Sequence, residues 1–174
     1  SWFMEGDAVV METALTKGGR GRLPHFSLWQ RSLELSGIRY SYYENYLGSY
    51  DSLYPRNDHY RLGYLLCSYI SRHYGVDVWN KVLEDTGKYS LFYTFDRSLK
   101  RATGKKITEI YNDALNEYNF LWNRQLSDVL LTPAEIKSEH SPSRFESFLF
   151  PVQKASGEIY SLNFSQDKNL TLGL

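Results

Sequence analysis

The sequence predicts a mainly α-helical protein, an array of about six helices followed by a short C-terminal β-hairpin. Three observations carry this. Apolar residues recur at spacings of three and four through most of the first 131 positions. Glycines close the apolar segments, at Gly18, Gly37, Gly75, Gly87 and Gly104, where helices stop most readily. Beyond Leu131 the helical spacing stops, and after a polar linker Glu158 to Phe164 alternate apolar and polar as a strand does.

Taken in order, residues 2–16 read as a helix with Phe3, Val9, Val10 and Leu15 on its apolar side, ended by Gly18-Gly19. The Gly-Gly-Arg-Gly-Arg stretch at 18–22 is a loop closed by Leu23-Pro24. His25 to Ser36 is a second helix, with Phe26, Trp29, Leu33 and Leu35 on its buried side. Tyr40 to Tyr54 holds too many Gly, Ser, Asn and Asp for one element type. The strongest helix runs from about Asn57 to His73 and carries Tyr64, Leu65, Leu66, Cys67, Tyr69 and Ile70. Another begins at Val76-Asp77 and continues through Trp79 and Val82 to Gly87. Ser90 then reads as an N-cap for a helix bearing Phe92, Phe95 and Leu99. Thr108 to about Gln125 is the last, with Ile107, Ile110, Tyr111, Leu115, Tyr118 and Leu121 at helical spacing. Short connectors between helices of ordinary length argue for an antiparallel array. Residues 132–144 read as a linker, and 145–174 as a hairpin turning at Ala155-Ser156-Gly157. Two strands alone do not make a stable sheet, so that hairpin is either packed on something or the start of a larger β-domain.

Composition excludes several classes. The 174 residues hold 20 Lys and Arg against 20 Asp and Glu, for a net charge of zero. That balance gives no electrostatic basis for binding nucleic acid or anionic lipid. At 42% hydrophobic and 23% charged residues the chain is ordinary globular material. A single cysteine, Cys67, excludes an internal disulfide and any Cys-rich zinc module. No apolar run is long enough to span a membrane. The chain opens on Ser1-Trp2, already helix-like, and is expected to be a piece of a longer protein.

The residues able to carry chemistry are few. Glu5 and Glu12 stand seven apart, two turns along one helix face. An acid in a helix's first turn is also favoured by the macrodipole alone. Gly6 costs about 1 kcal/mol against Ala in a helix, so close approach of another backbone or a ligand is a natural reason for it. Tyr60 and Gly63 form a Tyr-x-x-Gly at the head of the strongest helix. With 15 Tyr in the chain, packing explains most of them. His25, His59, His73 and His140 nowhere make an i, i+4 pair, and no His-Glu-x-x-His is present. Arg20 and Arg22 are candidates for meeting a substrate carboxylate bidentately, beside the plainer reading of a solvated loop.

The opening Trp2-Phe-Met-Glu5-Gly6-Asp-Ala8 with Glu12 resembles the Trp-x-x-Glu-Gly-x-Ala helix of the gluzincin, aminopeptidase-N-like zinc metallopeptidases. That resemblance implies that Glu5 is a zinc ligand, with Glu12 supporting it, and that the His-Glu-x-x-His lies upstream of Ser1. His59-Tyr60-Arg61-Leu62-Gly63 is similar to a later segment of the same enzymes. It implies that the Tyr60 hydroxyl stabilises the oxyanion, although Leu62 stands where the aminopeptidase group usually has Lys. Phe148-Leu-Phe150-Pro151 and Gly157-Glu-Ile-Tyr160-Ser-Leu162 resemble the first strands of a TolB-like β-propeller. Together these imply the C-terminal helical part of an envelope or cell-surface peptidase of a bacterium, acting on a peptide or protein substrate. Zinc belongs to the intact parent, and none is expected on these residues alone. The alternatives are a non-catalytic peptide- or glycan-binding or scaffolding helical domain, and a helical solenoid, against which the lack of any internal repeat counts.

Overall fold

The computed structural model describes residues 1–48, 58–88, 94–130, 132–133, 135, 146–165 and 168–173. It is mainly α, and it divides into two compact units, Ser1–Leu130 and Leu131–Leu174. In the first are α1 (Trp2–Leu15), a 3-10 turn (Arg20–Arg22), α2 (Pro24–Leu35), α3 (Tyr42–Leu47), α4 (His59–Tyr74), α5 (Val78–Lys88), α6 (Thr94–Thr103) and α7 (Ile107–Ser127).

The core forms where the apolar stripes of α1, α4 and α7 converge. Leu66 and Ile70 of α4 are wholly buried, as are Ile110, Ala114 and Leu115 of α7. Trp2 and Phe3 reach in from α1, and Val78, Val82 and Leu99 from α5 and α6. The Trp2 indole donates to the Tyr42 hydroxyl at 2.9 Å, so the chain's second residue is tied to α3. α5 packs on α6, and α7 touches α2, α3, α4 and α6.

Local chemistry sets the ends. Pro24 occupies the first turn of α2, where its missing N–H costs nothing. The Asp58 side chain accepts from the Tyr60 and Arg61 amides and starts α4. Gly75 and Gly104, at φ of 80° and 79°, follow α4 and α6.

Several details depart from the sequence reading. α3 is a six-residue helix inside the Tyr-rich stretch, started by a capping box in which Ser41 and Glu44 bond reciprocally. Leu15 is 76% exposed, because the buried face of α1 is drawn by Trp2, Phe3, Gly6 and Val9. On α7 the buried stripe ends at Trp122, and Leu121 lies exposed. Ser90 and Phe92, expected to cap and fill the α6 segment, lie outside the described residues, as does His140.

The second unit is an antiparallel sheet of β1 (Glu146–Gln153), β2 (Ile159–Ser165) and β3 (Lys168–Gly173), in that order. The expected hairpin is β1–β2, and β3 extends it. Its turn closes through the Gly157 amide on the Lys154 carbonyl, with Gly157 at φ 90°. β1 bulges between Leu149 and Val152, where Phe150 sits at φ 52° ahead of Pro151. A bulge with a proline on an edge strand discourages pairing with another chain.

Candidate functional site

The two segments singled out in the sequence cross each other. α1 packs along α4, and Gly6 faces Gly63 so closely that a Cβ on either would overlap the other's backbone. A Cβ on Gly63 would also strike the Trp2 carbonyl oxygen. Only a glycine pair allows this approach, which is why a costly residue stands inside each helix. The Cys67 thiol lies 3.9 Å from the Phe3 carbonyl and continues the same contact.

The crossing brings Glu5 and Tyr60 together. Glu5 stands beside Tyr60, and its interaction with the hydroxyl, together with its charge, raises the phenol above its usual pKa. Tyr60 therefore keeps its proton at neutral pH and remains a donor. It is 41% exposed, while Glu5 is half-buried, so the pair is open to solvent on one side.

Glu12 lies further along α1 and grips the 3-10 turn. Its Oε1 accepts from the Arg20 amide at 3.1 Å and its Oε2 from Arg20 Nε at 2.8 Å. The hydrogen bond from Arg20 holds the Glu12 carboxyl below the usual range. The Arg20 guanidinium in turn lies 5.0 Å from the centre of the Tyr60 ring, within cation–π range. Tyr60 is thus the shared neighbour of Glu5 and Arg20.

The glycine-rich loop is built to reach this place. Gly19 packs on the Thr13 backbone, and a Cβ on Gly21 would overlap the Tyr64 ring. The Gly21 amide donates to Thr13 Oγ1 at 3.0 Å. Arg22 Nη1 donates to the Thr13 carbonyl at 2.6 Å and the Thr16 carbonyl at 3.3 Å. Arg22 thereby satisfies the open end of α1. Of the two arginines that sequence reasoning paired, the fold uses Arg22 as a helix cap and sets Arg20 on Tyr60. Sequence spacing does not separate them, since the loop's return onto α1 is a tertiary event.

The histidines are dispersed. His25 is exposed. His59 Nε2 lies 3.1 Å from the Tyr46 carbonyl, with its ring stacked on Tyr46. His73 Nε2 lies 2.5 Å from Glu117. Among the described residues no group of three His, Cys, Asp or Glu is placed to hold a metal. Glu5 is one carboxylate where a catalytic zinc takes three protein ligands, so the described residues do not themselves fit a zinc ion.

A second concave feature lies between α2, α3 and α4. Trp29, Gln30, Asn45, Asp58, Arg61, Leu62 and Leu65 line a narrow cavity. Asp58 and Arg61 pair across 3.1 Å, leaving the wall neutral. Beside it runs a buried charge network that the sequence did not announce. Glu34, only 4% exposed, pairs with Arg39 at 2.5 Å and 3.1 Å, and Asn119 Nδ2 donates to the Glu34 carbonyl at 3.1 Å. Arg39 also donates to Asn116 at 2.6 Å, which braces the end of α2 on α7.

Comparison of the chain with protein-family models, curated proteins and solved structures finds no match in any of the three. No helix among the described residues is long and apolar enough to cross a membrane.

Proposed function

We propose that this chain is the C-terminal helical part of a zinc-dependent peptidase, contributing one metal ligand, Glu5, and one oxyanion donor, Tyr60. The observation that carries the reading is the Gly6–Gly63 crossing, which sets the Glu5 carboxylate against a protonated Tyr60 hydroxyl. With Glu5 taken up by the metal, the neutral Tyr60 hydroxyl would be free to donate to the charge that develops on a carbonyl oxygen under attack. The reading requires the histidine pair and the general base from a segment outside these residues. α1 supports a larger assembly, because it is apolar on both sides: Met4, Met11 and Leu15 are exposed opposite Trp2, Phe3 and Val9.

The test is the longer protein. The reading expects a His-Glu-x-x-His ahead of Ser1, stoichiometric zinc, and loss of that zinc in Glu5→Gln. Tyr60→Phe should lower kcat by about 10²–10³-fold with KM little changed, as removal of an oxyanion donor does. Absence of the histidine pair, or zinc retained unchanged in Glu5→Gln, overturns it. Stoichiometric zinc held through Glu5 by the 174 residues alone contradicts it as well.

A non-catalytic binding domain is the second reading, favoured by the cavity between α2, α3 and α4. It combines an indole, leucines and polar groups in a narrow cavity, a lining suited to one side chain of a peptide rather than a whole small ligand.

A further inference from the structure

We propose that Arg20 is a carboxylate anchor, and that the Glu5–Tyr60 site takes peptides through a free carboxylate. This rests on the peptidase reading above and names its substrate class.

The argument begins with what each nitrogen of Arg20 already does. The backbone amide and Nε both go to Glu12. Among the described residues, Nη1 and Nη2 meet no partner, and the side chain is 40% exposed. An arginine held by Nε presents its outer edge, two parallel N–H groups, which match the two oxygens of a carboxylate. The Tyr60 ring beneath the guanidinium limits its tilt, so little rotamer freedom remains to be lost on binding.

Along the loop, positions 12–22 carry three cations, Lys17, Arg20 and Arg22, against one acid, Glu12, while Glu5 and Asp58 act on the same Tyr60. Arg22 is held at the end of α1 by the Thr13 and Thr16 carbonyls. Arg20 is therefore the cation of this loop that is both fixed and turned to solvent beside Tyr60. A peptide held there by its carboxylate has its preceding amide group next to the Tyr60 hydroxyl and the Glu5 carboxylate.

Two sources offer the same chemistry, a chain's terminal carboxylate and an acidic side chain. The experiment titrates the ¹⁵N-labelled 174-residue chain with Ala-Ala-Leu, with Ala-Ala-Leu amide and with Ala-Asp-Leu amide, following the Arg20 Nε–H resonance. The expected result is saturable binding of the free acid, weakened at least tenfold in the first amide. Recovery of binding by the Asp-containing amide assigns the site to acidic side chains. No recovery assigns it to chain termini, and either result keeps the carboxylate anchor. Arg20→Gln should abolish binding, and Arg20→Lys should weaken it severalfold, because an ammonium lacks the planar fork. Lys17→Gln should leave the affinity within twofold. Equal binding of all three peptides, no saturable shift with any, or a Lys17→Gln loss as large as that of Arg20→Gln overturns the proposal. Zinc content and hydrolysis in the longer protein are separate readouts, so the peptidase reading can fail while the anchor stands, and the reverse.

Discussion

Gly63 is the residue on which the candidate site turns. With a Cβ at this position, α1 and α4 must separate by an amount set by the Trp2 carbonyl and the Gly6 backbone. Backbone atoms cannot rotate away as a side chain can, so the strain is relieved only by shifting a helix. Gly63→Ala is expected to destabilise the fold by about 2–3 kcal/mol, the upper range for overpacking a tight contact. Gly87→Ala serves as its control, because a Cβ there meets nothing. It should be neutral or stabilising, by up to about 1 kcal/mol from helix propensity. Urea denaturation of the two variants checks both signs.

At the scale of elements, polar groups decide how α2 meets α7. The Glu34 carboxylate is almost wholly buried and relies on Arg39 for charge. Removing one partner of such a pair leaves an uncompensated buried charge. Arg39→Ala is expected to cost about 3 kcal/mol, while Glu34→Gln with Arg39→Met together should cost less than Arg39→Ala alone. A double-mutant cycle by thermal denaturation reads the difference. The α5–α6 pair is different in kind. Val82 and Leu99 are buried between them, and the Asp85–Arg101 ion pair lies at the surface, where such pairs contribute little.

Across the whole molecule, the helical core sets an alkaline limit. Burial raises Tyr111 to about 12 and pushes Tyr42 and Cys67 up as well. An unfolded tyrosine loses its proton near pH 10 and an unfolded thiol about 1.5 units lower. Their raised folded values therefore contribute stability that is complete below the unfolded pKa values. It drains as pH climbs, and the Tyr111 share is gone by about pH 12. The urea midpoint should be lower at pH 11 than at pH 8. The two units make a further expectation. Ser1–Leu130 contains the whole helical core, so a chain ended at Leu130 should keep its cooperative thermal transition. The isolated three-stranded sheet of the second unit should show none, since a sheet that small needs a buried apolar face and Leu149, Phe150 and Val152 lie exposed.

The sequence by itself determined the helical class, the change of period after Leu131 and most helix ends, because these follow from local spacing and from glycine, proline and capping residues. It also marked Glu5, Gly6, Tyr60 and Gly63 as worth explaining. Only the tertiary structure decided that the two glycines meet, that Tyr60 lies between Glu5 and Arg20, and that Arg22 is a helix cap. It also decided that Leu15 faces solvent while Glu34 is buried. Those facts depend on which helix faces reach each other across tens of residues of chain, and local periodicity carries no information about that choice.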